Sequence, residues 1–196
     1  MYNRIMCKQK GGFLMANIAV FLADGFEEVE AIAPIDLLRR GGMNVTTVSI
    51  MGRTTVHGSH NIDVEADTVY EKFDFTGVDM LVLPGGGLGT KNLKAYAPLL
   101  EKVKEYDAAG KYIAAICAAP TIFGRLGLLQ GKKATCYGGM EAELTGAQVV
   151  TDPVVVDGHI ITSRGMGTAT QFGLKLLEIF TDKTTADKMA ATVMMP

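Results

Sequence analysis

The chain has 196 residues, 48% of them hydrophobic and 20% charged, which fits one globular domain with a sizeable core. A formal net charge of −2, with its lysines and arginines dispersed, supplies no field for gripping a nucleic-acid backbone. No apolar run approaches the roughly 20 residues of a membrane-spanning helix, and the start lacks the apolar stretch of a signal peptide, so a cytoplasmic location is expected.

Residues 1–14 precede any periodic pattern and read as an extension foreign to a single domain at 15–196, with Met15 the expected natural start. NIAVFLA (17–23) is a continuous apolar run that ends at Asp24 and Gly25, the pattern of a strand buried on both faces. FEEVEAIAPIDLLRRGG then shows helical spacing, two arginines near its end and a glycine stop, with a kink expected at Pro34. NVTTVSI (44–50) predicts the next strand, and the polar alternation of 54–66 predicts an exposed hairpin off the main sheet.

VDMLVLP (78–84) predicts a third buried strand, leading through GGGLGTKNL into a helical stretch ending near Ala109. KYIAAI predicts a fourth, followed after Cys117 by a helix ending near Gly127. ATCYGGMEAEL fits no element well. VVVDGHIITS (154–163) reads as a hairpin turning at Asp157 and Gly158, and GTATQFGLKLLEIF (167–180) as an amphipathic helix. Alternating strands and helices imply a doubly wound, mostly parallel sheet in a three-layer α/β/α sandwich with an inserted β-hairpin.

Ligands of such sheets bind beyond the carboxyl ends of the strands. Three of those ends carry unusual residues: DGFEEVE, PGGGLG and CAAP. Cys7, Cys117 and Cys136 are odd in number and lack a CxxC pair, which argues against a disulfide framework or a zinc site and for reduced thiols. Cys117 stands at a strand-to-helix turn, where a helix's positive end lowers a thiol pKa and the small Ala118 and Ala119 leave room for a reactant. A packed core thiol is the competing reading.

PGGGLG lacks both the Lys-Ser/Thr of a P-loop and the spacing of a dinucleotide fingerprint. Its glycines permit close backbone approach, and an N–H of Gly85 or Gly86 with that of Ala118 would make an oxyanion hole, while Gly87 and Gly89 read equally as turn residues. Glu27, Glu28 and Glu30 fall in a first helical turn, where acids favour the dipole without further role. Glu30 differs in lying between Val29 and Ala31, on the turn's inner side, where burial would keep it protonated and able to exchange protons with the sulfur.

DGFEEVEAIAPIDLLRRGG, VLPGGGLGTKNL, AAICAAPTIFGRLGLL and ITSRGMGTATQF, in this order, resemble the ThiJ/PfpI superfamily, in its branch of the parkinsonism-associated protein deglycase and its bacterial homologues. The resemblance implies a flavodoxin-like fold, a homodimer, Cys117 as an elbow nucleophile with Glu30 as its protonated partner, and an oxyanion hole from Gly86 and Ala118 with Gly85 adjacent. It also implies cofactor-free, metal-free chemistry on a small aldehyde or glycated substrate, or redox-sensitive chaperone behaviour through oxidation of Cys117. Ala118 stands where the superfamily's proteases place a histidine, and His159-Ile160-Ile161 is not the His-x-Glu of glutamine amidotransferases, so proteolysis and glutamine hydrolysis are not expected. Cys136 occupies a position where several members carry a site histidine; His60 is a further accessory candidate that would reach the crevice from a dimer partner, although a solvated loop histidine is the preferred reading of it.

Overall fold

The computed structural model describes residues 15–195; the reading of residues 1–14 as an extension lies outside them. The chain begins with β1 (Asn17–Leu22), α1 (Glu28–Arg40) and β2 (Asn44–Ser49), followed by three short strands, β3 (Thr55–His57), β4 (Asp63–Glu65) and β5 (Thr68–Val69). Next come β6 (Met80–Leu83), α2 (Gly87–Ala95), α3 (Ala97–Ala108), β7 (Tyr112–Ile116) and α4 (Pro120–Arg125). Last are β8 (Lys133–Ala134), β9 (Gln148–Val149), β10 (Val154–Asp157), β11 (Ile160–Ser163), α5 (Ala169–Phe180) and α6 (Lys183–Thr192).

Seven strands form the main sheet in the order β10-β11-β7-β6-β1-β2-β5, parallel throughout except for β10, which pairs antiparallel with β11. This is the doubly wound α/β sandwich expected from the sequence. β3 and β4 form the separate antiparallel hairpin, and the β10–β11 turn places Gly158 at φ +64°, a conformation that glycine adopts without steric cost.

Burial on both faces follows directly from the apolar runs. From β1, Ile18, Val20 and Leu22 pack with Ile35 and Leu38 of α1 and Phe172 and Leu176 of α5. Ala19 and Phe21 point the other way, toward Leu93, Leu99, Val103 and Ile122 of α2, α3 and α4. Each fully buried side chain of this size contributes about 1.5–3 kcal/mol. No helix among the described residues is long and apolar enough to cross a membrane.

One local expectation changes, and two helices add detail. The helical stretch after β6 is two helices, broken at Tyr96 (φ −89°, ψ 89°), because Pro98 in the first turn of α3 has no N–H with which to continue α2. α1 runs from Glu28 to Arg40 as one helix with Pro34 inside it. Its α5-facing side is so close that a Cβ on Gly173 would lie 2.9 Å from the Pro34 Cα. Finally, α6 follows the amphipathic helix; its N-cap is Asp182, whose carboxylate accepts the Thr185 N–H at 2.8 Å.

The chain leaves β1 first toward β2 and later returns to β6 on the opposite side, so the order of the sheet reverses between β1 and β6. Val20, Val82 and Ala114 lie in register across β1, β6 and β7, which brings the carboxyl ends of these strands to one level. The crevice of a doubly wound sheet opens there.

Candidate active site

The three unusual strand ends meet at that crevice. Cys117, one residue beyond β7, has φ +65°, a left-handed conformation that an L side chain rarely adopts. Main-chain bonds hold it there on both sides: its N–H donates to the Ser163 carbonyl at 3.0 Å, and its carbonyl accepts the Tyr137 N–H at 2.8 Å. The sulfur is half-buried and receives hydrogen bonds from the backbone N–H groups of Gly86 and Ala118. These are the two amides expected to form an oxyanion hole.

Gly85 is placed differently from the sequence reading. Its N–H is given to Glu30 Oε2 at 3.0 Å, and its carbonyl accepts the Glu27 N–H at 3.0 Å. The N–H committed to a carboxylate is not available to an oxyanion, so Gly85 positions the acid while Gly86 faces the sulfur. A Cβ at Gly85 would run into Glu30 Oε2 and Cys117 Cβ. At Gly86, φ is +94° and a Cβ would strike the backbone of Gly25 and Glu27. Glycine is required at both positions, at one by contact and at the other by contact and conformation.

Glu30 lies in the first turn of α1 and is 1% exposed. Burial raises its carboxyl from 4.5 to about 7, against hydrogen bonds from Cys117 and the N–H groups of Gly85 and Met166; the Glu27 charge adds to the rise. The expected protonated acid is therefore the form below about pH 7, and the carboxylate prevails above it.

The thiol reverses the expectation. Burial first, then the charge and hydrogen bond of Glu30, push Cys117 up to about 12, while the Gly86 and Ala118 amides act in the opposite sense. The helix end thought to depress it is weak here, because α4 begins only at Pro120 and is six residues long. Between those two values the Cys117 and Glu30 side chains hold one proton in common, placed on the sulfur beside an ionised carboxylate.

The accessory candidates have partners of their own. Cys136 is 2% exposed, and its thiol donates to the Tyr137 carbonyl at 3.4 Å. It packs in the cluster beneath α2, α3 and α4, whereas Cys117 borders the cluster beneath α1 and α5. Burial and the Glu141 charge raise its thiol to about 11, with Arg164 acting against them. His60, in the β3–β4 turn, is exposed and bonds Glu28: its Nδ1 is 2.9 Å from Glu28 Oε2, and its N–H donates to Oε1 at 2.6 Å.

Burial opposes ionisation of Glu28, but the His60 side chain, the His60 N–H and Ser59 together hold it at about 2. Glu27, Glu28 and His60 are the one group of potential metal donors among the described residues, with donor atoms within 4.8 Å of one another. Each already has partners inside the group or in Ser59.

Sequence reasoning assigned no role to Ser163 or to Met166, whose backbone groups hold Cys117 and Glu30. The glycine-spaced SRGMG run was their only signal, since main-chain contacts leave no residue-type signature.

The model of the DJ-1/PfpI family matches residues 16–179. "Protein DJ-1 homolog B" of Arabidopsis thaliana is 40% identical over 91% of this chain, which spans only 41% of that longer protein. "Glutathione-independent glyoxalase DJ-1" of Schizosaccharomyces pombe is 32% identical over 93% of this chain and 100% of its own. Among solved structures, "Toxoplasma gondii DJ-1, oxidized" superposes with a TM-score of 0.87 and 34% identity, covering 91% of this chain and 98% of the other. Because the match spans strand ends, helices and glycine loops alike from residue 16 to residue 179, the chain belongs to the DJ-1/PfpI family.

Proposed function

We propose that the protein is a cofactor-independent cysteine enzyme acting on small dicarbonyls or their glycation adducts. The observation that carries this reading is the pairing of Cys117 with an acid of pKa about 7, under two convergent amides. A relative named as a glutathione-independent glyoxalase supports it.

In this reading Glu30 takes the thiol proton as the Cys117 sulfur attacks the aldehyde carbon of methylglyoxal. The carbonyl oxygen, now an alkoxide, accepts hydrogen bonds from the Gly86 and Ala118 N–H groups. Glu30 returns the proton to that oxygen, giving a neutral hemithioacetal. The carboxylate then removes the hydrogen from the former aldehyde carbon, giving an enediolate, and delivers it to the adjacent carbon, while the hydroxyl proton of the first carbon passes to the oxygen of the second. The product is a thioester of lactic acid. Water cleaves it, so methylglyoxal plus water leaves as lactate and the thiol is restored. A pKa near neutrality suits a group that must accept and donate in turn.

The test is lactate formation from methylglyoxal by purified wild type, Cys117→Ser and Glu30→Gln. Equal activity in wild type and Cys117→Ser would end the covalent reading.

A second reading is favoured by the oxidised state named for the Toxoplasma relative. Here Cys117 is the sensor of a stress protein, and oxygens added to its sulfur are held by Glu30 and the same amides. Peroxide-dependent client binding without lactate formation would select it. In either reading a homodimer is proposed, covering the exposed Val29 and Ile32 of α1 and Ile62 of the hairpin turn.

A further inference from the structure

Arg164 stands between two residues that hold the reactive pair: Ser163 accepts the Cys117 N–H, and the Met166 N–H donates to Glu30. Its guanidinium lies beside Gly138, where an added Cβ would be 3.4 Å from Arg164 Nη2. Gly138 follows Tyr137, whose N–H bonds the Cys117 carbonyl. The Tyr137 ring, 56% exposed, comes within 3.5 Å of a Cβ position on Gly165 that is itself 3.7 Å from Glu30 Oε1. Arg164, Tyr137, Cys117 and Glu30 thus share one wall of the crevice.

Arg39, Arg40 and Arg53 pair with Asp67, Asp36 and Asp24, but among the described residues no carboxylate forms an ion pair with Arg164. The acids of the neighbouring loop are engaged elsewhere: Glu141 accepts the Gly139 N–H at 2.7 Å, and Glu143 pairs with Lys94 at 2.8 Å. Arg164 is a half-buried residue, and a guanidinium offers a planar fork that fits a carboxylate at two points.

We propose that Arg164 is a specificity-determining residue that binds the carboxylate of the substrate, with Tyr137 flanking the carbon chain, so that the site selects anionic carbonyl compounds over neutral ones. The substrate class is then a carboxylate-bearing oxoaldehyde or glycation adduct. This rests on the reading of Cys117 as the reacting atom, and it deepens that reading.

Two reagents of nearly equal size separate the charge effect from the chemistry. Iodoacetate and iodoacetamide both transfer a carbon to sulfur with loss of iodide, and only the first carries a carboxylate. The ratio of their rates at Cys117, followed by mass spectrometry of the Cys117 peptide, is expected to exceed that of N-acetylcysteine about tenfold at low salt, and to lose that excess in Arg164→Gln. Arg164→Lys, which keeps the charge without the fork, should fall between them.

An unchanged ratio in folded Arg164→Gln overturns the proposal. Should that variant not fold, a wild-type ratio equal to that of N-acetylcysteine overturns it equally. Alkylation does not require turnover: a protein that forms no lactate yet keeps the iodoacetate preference loses the glyoxalase reading and retains the Arg164 assignment.

Discussion

Replacing Glu30 by glutamine removes a titration while keeping the side chain's shape, and the structure fixes what should follow. The native fold holds the Glu30 proton more tightly than the unfolded chain does, since burial moves the carboxyl from 4.5 to about 7. That difference is worth about 3 kcal/mol. By linkage the stabilisation is complete below pH 4.5 and is lost as pH rises to about 7. Glutamine has no such dependence. It also has a single acceptor oxygen for the Gly85 and Met166 donors, which adds a cost of about 1–3 kcal/mol that does not vary with pH.

Urea unfolding of both proteins at half-unit steps from pH 4.5 to 8 isolates the effect, because other titrating groups cancel in the difference. The excess stability of wild type over Glu30→Gln should shrink by about 3 kcal/mol across this range. A difference that is constant with pH would refute the argument that burial controls this carboxyl.

The same pair predicts kinetics: Cys117 alkylation in wild type should rise through about pH 7 as Glu30 ionises, and Glu30→Gln should lack that inflection while its thiol titrates below about 12. The left-handed backbone of Cys117 should make Cys117→Gly more stable than Cys117→Ala by about 1 kcal/mol in thermal unfolding. Gly173→Ala should destabilise by about 1–3 kcal/mol, because its Cβ would lie 2.8 Å from Leu37 Cδ1 and 2.9 Å from the Pro34 Cα, and would push α1 from α5. Gly85→Ala should abolish Cys117 reactivity toward iodoacetamide while far-ultraviolet circular dichroism stays native, since the added methyl meets Glu30 and Cys117 themselves.

The sheet was legible because β1, β6 and β7 are buried on both faces, so their sequences are continuous apolar runs that few other structures require. The break at Tyr96 was less so, because the stretches on either side of it are both helical and only Pro98 marks the join. Residue types pointed to Cys117 and Glu30, and the glycine run left Gly85 and Gly86 open until the family resemblance favoured Gly86. What they could not convey is direction: that the Gly85 N–H points at Glu30 and the Gly86 N–H at sulfur depends on φ +94° at Gly86. Nor does a short motif reveal electrostatic balance. The expected helix-end effect on Cys117 is outweighed by burial and by Glu30, a residue 87 positions earlier in the chain.

Gly85 grips the acid loop with both halves of its peptide backbone, giving its N–H to Glu30 and taking that of Glu27. Those atoms belong to every amino acid except proline, so no ordinary exchange of side chains can delete the grip; it can only be obstructed by bulk. The location of Glu30 therefore depends on the absence of a side chain at Gly85, where any Cβ meets Glu30 and Cys117, whereas the side chains of Tyr137 and Arg164 on the rim can vary without disturbing that grip. A scaffold divided in this way can change what it admits while keeping its chemistry fixed, and laboratory evolution for new substrates should begin at the rim.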